Sequence, residues 1–172
     1  EHFLGDSFDP IIAYGTHAAI VHYSATEETD ISLEPKGMVL ADTGGHYLEG
    51  TTDITRTIAL GSLTQEEKEM YTTVLKGHIQ LEMARFLQGC SGQSLDVLAR
   101  TPLWEKGLDY NHGTGHGMGY LLNIHEGPTN FRWAYRKNDT HQFEPGIVIT
   151  DEPGIYFEGS HGVRLENELL VK

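Results

Sequence analysis

The chain repeats part of itself, and that repeat restricts the fold more than any other feature. Residues 34–42 read Glu-Pro-Lys-Gly-Met-Val-Leu-Ala-Asp, and residues 144–152 read Glu-Pro-Gly-Ile-Val-Ile-Thr-Asp-Glu, an offset of 110 residues at both ends. Gly44 stands two residues after Asp42, and Gly154 two after Glu152. A second acid follows in each copy, Asp53 in the first and Glu166 in the second. The period is too long for a solenoid. It points to two half-domains related by a pseudo-two-fold axis. Pro-Gly turns are common on their own, so the weight rests on the acids that close the matched apolar runs. Each half offers a strand, a turn and a return strand, with one carboxylate on each strand. Antiparallel neighbours lie about 5 Å apart, so each half can aim two carboxylates at one point and the pair of halves can converge four.

The size suits one domain over residues 1–172. Hydrophobic residues make up 38% and charged residues 22%, which argues for a folded core and against disorder. Twelve Lys and Arg against 25 Asp and Glu leave a net charge of −13. That balance disfavours a nucleic-acid surface or an anionic membrane as partner. There is no apolar run of transmembrane length. Cys90 is the single cysteine, so no internal disulfide can form, which fits a reducing compartment. The opening Glu1-His2-Phe3-Leu4 carries neither initiator Met nor signal peptide, and the chain reads as a piece of a longer protein.

Residues 1–16 read as loop or edge structure. Strands are expected at Ala18–Tyr23, at Met38–Leu40 and, from its β-branched alternation, at Thr51–Ala59. Thr64 with Glu67 has the form of a capping box. Met70, Val74, Leu81, Ala84 and Leu87 then recur at helical spacing up to Gly89. A second helix is expected over Ser94–Lys106, with Pro102 inside it. Residues 111–120 hold four glycines, which disfavours helix and suggests a strand or loop that something approaches closely. Residues 127–142 read as irregular. Ile147–Thr150, Gly154–Phe157 and Val163–Val171 read as strands.

Taken singly, Asp42, Asp53, Glu152 and Glu166 are ordinary caps or ion-pair partners. Converged, they need compensating positive charge, and the nearby Lys and Arg are few. His112 and His116 are four apart, so on an extended segment they share a face. His22, within the first expected strand, and His125 are further candidates. Cys90 has no activating arrangement, and no nucleophile elbow, phosphate loop or dinucleotide fingerprint occurs. Four carboxylates with one imidazole form an oxygen-rich set suited to manganese, cobalt or zinc. Two divalent ions would match the four acids in charge. Such a pair lowers the pKa of a shared water toward neutrality and supplies hydroxide for carbonyl hydrolysis without a protein nucleophile.

The strings GTTDITRT, LDYNHGTGHGMG, LNIHEGP, TDEPGIY and VRLENELLV resemble, in order and spacing, the pita-bread metallopeptidases. They are most similar to the cytosolic-type Xaa-Pro aminopeptidases. The resemblance runs from about Phe8 to Lys172. It implies an α+β pita-bread fold, with a curved, mostly antiparallel sheet covered by helices. It also implies that leading helices and extra N-terminal domains are absent here, which would leave an apolar face exposed. Two divalent ions, usually manganese, are implied. Asp42 and Asp53 would be ligands from the first half, with Asp53 bridging. His116 and Glu152 would hold the other ion, and Glu166 would bridge. Glu152 would also relay a proton. His112 and His125 would line the substrate site, and His22, Tyr156 and Arg164 match further active-site positions. The implied protein is a cytoplasmic hydrolase, a homodimer at full length, that releases the first residue of a peptide whose second residue is proline. A prolidase acting on dipeptides is the nearest alternative. A peptide-binding relative without catalysis and a metal-free creatinase-like hydrolase are disfavoured by the complete acid set.

Overall fold

The computed structural model describes residues 2–137 and 141–172. Strands β1 (Phe3–Asp6) and β2 (Ile11–Tyr14) lead through a 3-10 turn, Gly15–Ala19, to β3 (Met38–Thr43), β4 (Gly45–Tyr47), β5 (Gly50–Thr51) and β6 (Ile54–Ala59). Helices α1 (Gln65–Glu82) and α2 (Gly92–Trp104) follow. The second half holds β7 (Gly115–Met118), β8 (His125–Phe131), β9 (Val148–Asp151), β10 (Gly154–Phe157), β11 (His161–Arg164) and β12 (Asn167–Leu170).

The internal repeat reappears as topology. β3 lies between β2 and β6, and β9 lies between β7 and β12, with every pairing antiparallel. The expected turn of each half is itself a hairpin, β4–β5 in the first and β10–β11 in the second. The halves meet along a polar seam. The Glu166 N–H donates to the Thr55 carbonyl at 3.1 Å, and the Thr57 hydroxyl donates to the Arg164 carbonyl at 2.9 Å. Arg56 donates to the Glu166 carbonyl at 2.6 Å and to Asn167 Oδ1 at 2.8 Å.

The Thr64 capping box forms with both of its bonds and starts α1 where the sequence places it. α1 turns Met70, Val74 and Leu81 inward. Met70 and Val74 pack with Leu103 and Tyr110 against Met38, Ile155, Val163 and Leu165. Leu81 joins Leu95, Ala99, Phe131, Phe143 and Ile149 in a second cluster. The first half has only a small core of Ile11, Ala13, Ala18, Tyr23 and Leu40. Ile12, Ile54 and Ile58 remain exposed.

Several expected elements differ. Ala18–Tyr23 is not a strand. Gly15, at φ +56°, bends the chain into the 3-10 turn, and Gly162 lets that turn lie against β11. Ala18 and Tyr23 are buried by packing with Ile11, Ala13 and Leu40 rather than in a ladder. The strands expected over Thr51–Ala59 and Val163–Val171 are each broken, and the breaks fall at Asp53 and at Glu166. There the chain leaves a hairpin to rejoin its half's sheet, and a carboxylate sits at the crossing. α1 ends at Glu82, short of Leu87, whose side chain points into solvent. Residues 125–131, partly read as irregular, form β8, because a proline is tolerated on an edge strand. Residues 138–140 of that irregular stretch lie outside the described residues.

The two helices touch at Gly77, where a Cβ would lie 2.1 Å from the Ala99 carbonyl oxygen. Helix propensity alone favours alanine over glycine by about 1 kcal/mol. The overlap reverses that sign. Gly77→Ala is expected to destabilise the fold by about 1–3 kcal/mol in urea unfolding, and a more stable variant would contradict the close helix approach.

Candidate metal centre

The repeat delivers its acids to one place. Asp42 is on β3, Asp53 precedes β6, Glu152 directly follows β9, and Glu166 precedes β12. All four line a cavity of about 350 Å³, with His116 of β7 among them. His116 Nε2 lies 3.4 Å from Asp53 Oδ2 and 3.5 Å from Glu152 Oε1. Its Nδ1 faces the Gly117 carbonyl at 3.0 Å, which assigns the proton to Nδ1 and leaves Nε2 free toward the acids. Donor atoms of Asp53, His116 and Glu166 all fall within 4.8 Å of one another, close enough to share one ion.

Each acid is held by a neighbour. Thr55 donates to Glu166 Oε2 at 2.7 Å, and Thr150 donates to Glu152 Oε1 at 3.2 Å. The Asp53 N–H donates to Glu168 Oε1 at 2.7 Å. The Glu152 N–H donates to the Thr114 carbonyl at 2.7 Å, which ties this acid to the loop that carries His116. Arg164 donates to Asp42 Oδ2 at 2.6 Å, while the other oxygen, Oδ1, is buried without a partner among the described residues.

Positive charge is scarce. Arg164 is spent on Asp42 and on the Tyr156 hydroxyl, which it reaches at 3.0 Å. Burial pushes Glu152 up to about 7, with Asp53 and Asp42 adding to the rise against the pull of His116 and Arg164. Burial also drives Glu166 well above the usual carboxylate range, helped by Glu152, Asp53 and Asp42. Burial acts to lower His116, but Asp53 and Glu152 outweigh it and its pKa rises. Acids raised by burial, an Asp42 oxygen with no partner among the described residues and an imidazole lone pair turned toward them are features of a cation site. The donor set is hard oxygen with one nitrogen, and it fits two divalent ions.

The other expected site residues divide. His22, His125 and Arg164 are on the cavity wall, with Phe8, Val21, Tyr23 and Ile124 between them. The His125 ring sits edge-on to His116, centroids 4.3 Å apart. His112 and Tyr156 are not on that wall. His112 Nε2 lies 2.9 Å from the Tyr156 phenol oxygen and its Nδ1 2.7 Å from the Gly113 carbonyl. Burial pushes His112 down to about 4 and Tyr156 up to about 12. Thr55 and Thr150 escaped the sequence reading. Each stands two residues from an acid, on the same face of an extended chain, and that alternation was the available signal.

All of residues 1–172 match the model of metallopeptidase family M24, and the chain belongs to that family. It is 49% identical over 99% of its length to aminopeptidase P1 of Arabidopsis thaliana, covering 26% of that protein. It is 48% identical to a probable Xaa-Pro aminopeptidase P of Sclerotinia sclerotiorum, covering 28% of it. The chain thus spans about a quarter of the length of these relatives. Among solved structures it superposes on X-prolyl aminopeptidase from Caenorhabditis elegans, described as a cytosolic enzyme with a di-nuclear active site, with a TM-score of 0.91 and 41% identity over 98% of this chain and 27% of that one. Prolidase from Pyrococcus furiosus matches at TM-score 0.85 and 36% identity, over 97% of this chain and 47% of that one. The pita-bread fold is therefore shared with these enzymes.

Without ions, the raised Glu152 burdens the fold increasingly as pH climbs from the free carboxylate value of 4.5 through about 7, because the unfolded chain gives up this proton more readily, and the raised Glu166 acts in the same direction. Bound ions remove that burden, and their affinity falls when protons compete. The neutral, buried His112 acts in the opposite direction, but equally with and without metal. The rise in melting temperature on adding manganese is therefore expected to grow between pH 5.5 and pH 8. A rise independent of pH would place the ions elsewhere.

Proposed function

We propose that the protein is a metal-dependent aminopeptidase that hydrolyses the bond between a peptide's first residue and a proline in second position. The observation that carries this reading is the ring of four carboxylates and one imidazole at the floor of an open cavity, in a family whose similar members bear that activity in their names. Asp42 and Asp53 would hold one ion, His116 and Glu152 the other, with Asp53 and Glu166 shared between them. Manganese is the ion we favour. When bound, two such ions lower the pKa of a water and polarise the scissile carbonyl.

The chain's own residues supply the rest. Glu152, on the cavity wall beside His116, is placed to take the proton of an attacking water and later pass it to the proline nitrogen. That nitrogen is a poor leaving group until protonated. His125, beside His116 on the wall, is placed to donate to the carbonyl oxygen as charge develops there. Arg164 holds Asp42 and is itself held by Tyr156; burial raises Tyr156 against the pull of Arg164, while Tyr156 and Asp42 raise Arg164 against burial, so both stay protonated. His22 and the apolar wall of Phe8, Val21, Tyr23 and Ile124 would receive the substrate's own side chains.

The likeness to a prolidase keeps a dipeptidase as the second reading. Release of arginine from Arg-Pro-Pro by the manganese-loaded protein supports the aminopeptidase, and cleavage of Xaa-Pro dipeptides alone would replace it. A cytoplasmic setting is proposed with it, in line with the cytosolic description of the Caenorhabditis elegans enzyme.

Asp53→Ala and Glu166→Ala are each expected to lose both ions and all measurable turnover, because a shared ligand holds the pair together. Two ions per chain in either variant, by mass-spectrometric metal analysis, would remove the bridging assignment. His125→Ala is expected to keep both ions while kcat falls about a hundredfold or more. Loss of metal there would move His125 among the ligands.

A further inference from the structure

His78 sits on the buried face of α1 between Val74 and Leu81, only 5% exposed, and is not on the wall of the metal cavity. It reaches from the helix to the two strands that bring in the acids of the second half. Its Nε2 lies 3.1 Å from the Asn167 amide nitrogen. Its Nδ1 lies 3.1 Å from Asp151 Oδ2, a charge contact outside hydrogen-bond alignment. Asn167 and Asp151 face each other across the β12–β9 ladder. Asn167 directly follows Glu166, and Asp151 directly precedes Glu152. One imidazole therefore touches the chain neighbour of each acid that the second half sends to the metal centre.

The polarity of these contacts is fixed from one end. A guanidinium can only donate. Arg56 Nη2 donates to Asn167 Oδ1 at 2.8 Å, and Nη1 donates to the Glu166 carbonyl at 2.6 Å. With its oxygen engaged there, the Asn167 amide turns its NH2 toward His78, with Glu82 Oε1 at 3.4 Å as a second, longer acceptor. His78 Nε2 has to accept, so the ring proton is on Nδ1, facing Asp151. Donors run in one direction from β6, through β12 and α1, to β9. Asp151 is fully buried. Its burial beside an imidazole in an apolar interior is costly for stability alone, and such buried polar contacts are best known for fixing the register of packed elements.

Resting on the proposed metal-dependent activity, we infer that His78 is a positioning residue, which couples the end of β9 to the start of β12 and so sets the separation of Glu152 from Glu166. The ion assigned to His116 and Glu152 depends on that separation, because Glu166 is its shared ligand. The ion assigned to Asp42 and Asp53 keeps two acids of the first half that His78 does not reach. Cutting the coupling therefore weakens one ion more than the other. A side chain that only filled space in the core would shift both together, through the stability of the fold.

The test is calorimetric titration of the metal-free protein with manganese, in which the native chain shows two binding steps. H78N keeps a donor near the place of Nδ1 but is too short to reach Asn167. H78Q reaches Asn167 but gives up Asp151. Each variant is expected to weaken one step about tenfold or more while the other stays within about twofold. Turnover of Arg-Pro-Pro by either variant should return toward the native rate as manganese is raised, with KM for the peptide unchanged. Native affinity at both steps in a folded variant, or an equal loss at both, would overturn the inference. The native protein supplies a measurement that needs no variant. Nitrogen NMR of the histidine rings is expected to show His78 protonated at Nδ1 and bare at Nε2, and a proton on Nε2 would overturn the coupling. If the native protein binds two ions but cleaves no Xaa-Pro bond, the aminopeptidase reading fails and the titration still decides the role of His78. A native protein without two manganese steps would overturn the metal centre and the inference together.

Discussion

Four carboxylates are held in one partly enclosed space with too little positive charge beside them, and the rest of the structure is arranged around that fact. Burying a carboxylate away from a partner is costly. Here Arg164 relieves Asp42 alone, and burial together with the neighbouring acids raises the pKa of Glu152 and Glu166. That is an inefficient way to build a stable interior. Replacing such a cluster by apolar residues would commonly stabilise a protein. Its retention in the middle of the molecule makes sense when cations complete it.

The duplicated half-domain explains how so unfavourable a cluster is assembled with few specific interactions. Each half needs only to place one acid at the end or on the face of a central strand and another where a hairpin rejoins the sheet. The pseudo-two-fold then brings both pairs together. The seam that joins the halves runs through the acid-bearing strands themselves, with Thr55, Arg56 and Thr57 on one side and Arg164, Glu166 and Asn167 on the other. Separation of the halves and loss of the site are therefore the same event. Bound ions, which would engage acids from both halves, add to the same seam.

Much of this was legible in the sequence, because the repeat is written in residue types that also carry the chemistry. An offset of 110 between two apolar runs that end in acids was enough to pair β3 with β9 and to single out Asp42 and Glu152. The capping box at Thr64 marked the start of α1, since a cap depends on residues three apart. What escaped depended on distant backbone. The 3-10 turn at Gly15–Ala19 is shaped by Gly162, far along the chain, and local propensity carries no trace of it. The breaks at Asp53 and Glu166 were hidden because β-branched residues continue through them, although the bend is what turns each acid inward. The end of α1 was overrun because Ala84 and Leu87 keep helical spacing after the helix has lost anything to pack against.

His112 shows what hydrogen-bond polarity adds to a reading from residue type and spacing. A guanidinium only donates, so the Tyr156 oxygen accepts from Arg164 and its own proton must point onward. The atom in reach is His112 Nε2, which accepts it, and the proton on Nδ1 goes to the Gly113 carbonyl. Every donor and acceptor on the ring is then used, and burial keeps it neutral. The loop around it is clamped from the other side by Arg100, which donates to the carbonyls of Tyr110 and His112 and to the buried Asp96. A histidine so engaged has no proton to exchange with substrate. Its hydrogen bonds hold the Tyr156 hydroxyl and, through it, the orientation of Arg164 toward Asp42, while His22 and His125 are on the cavity wall.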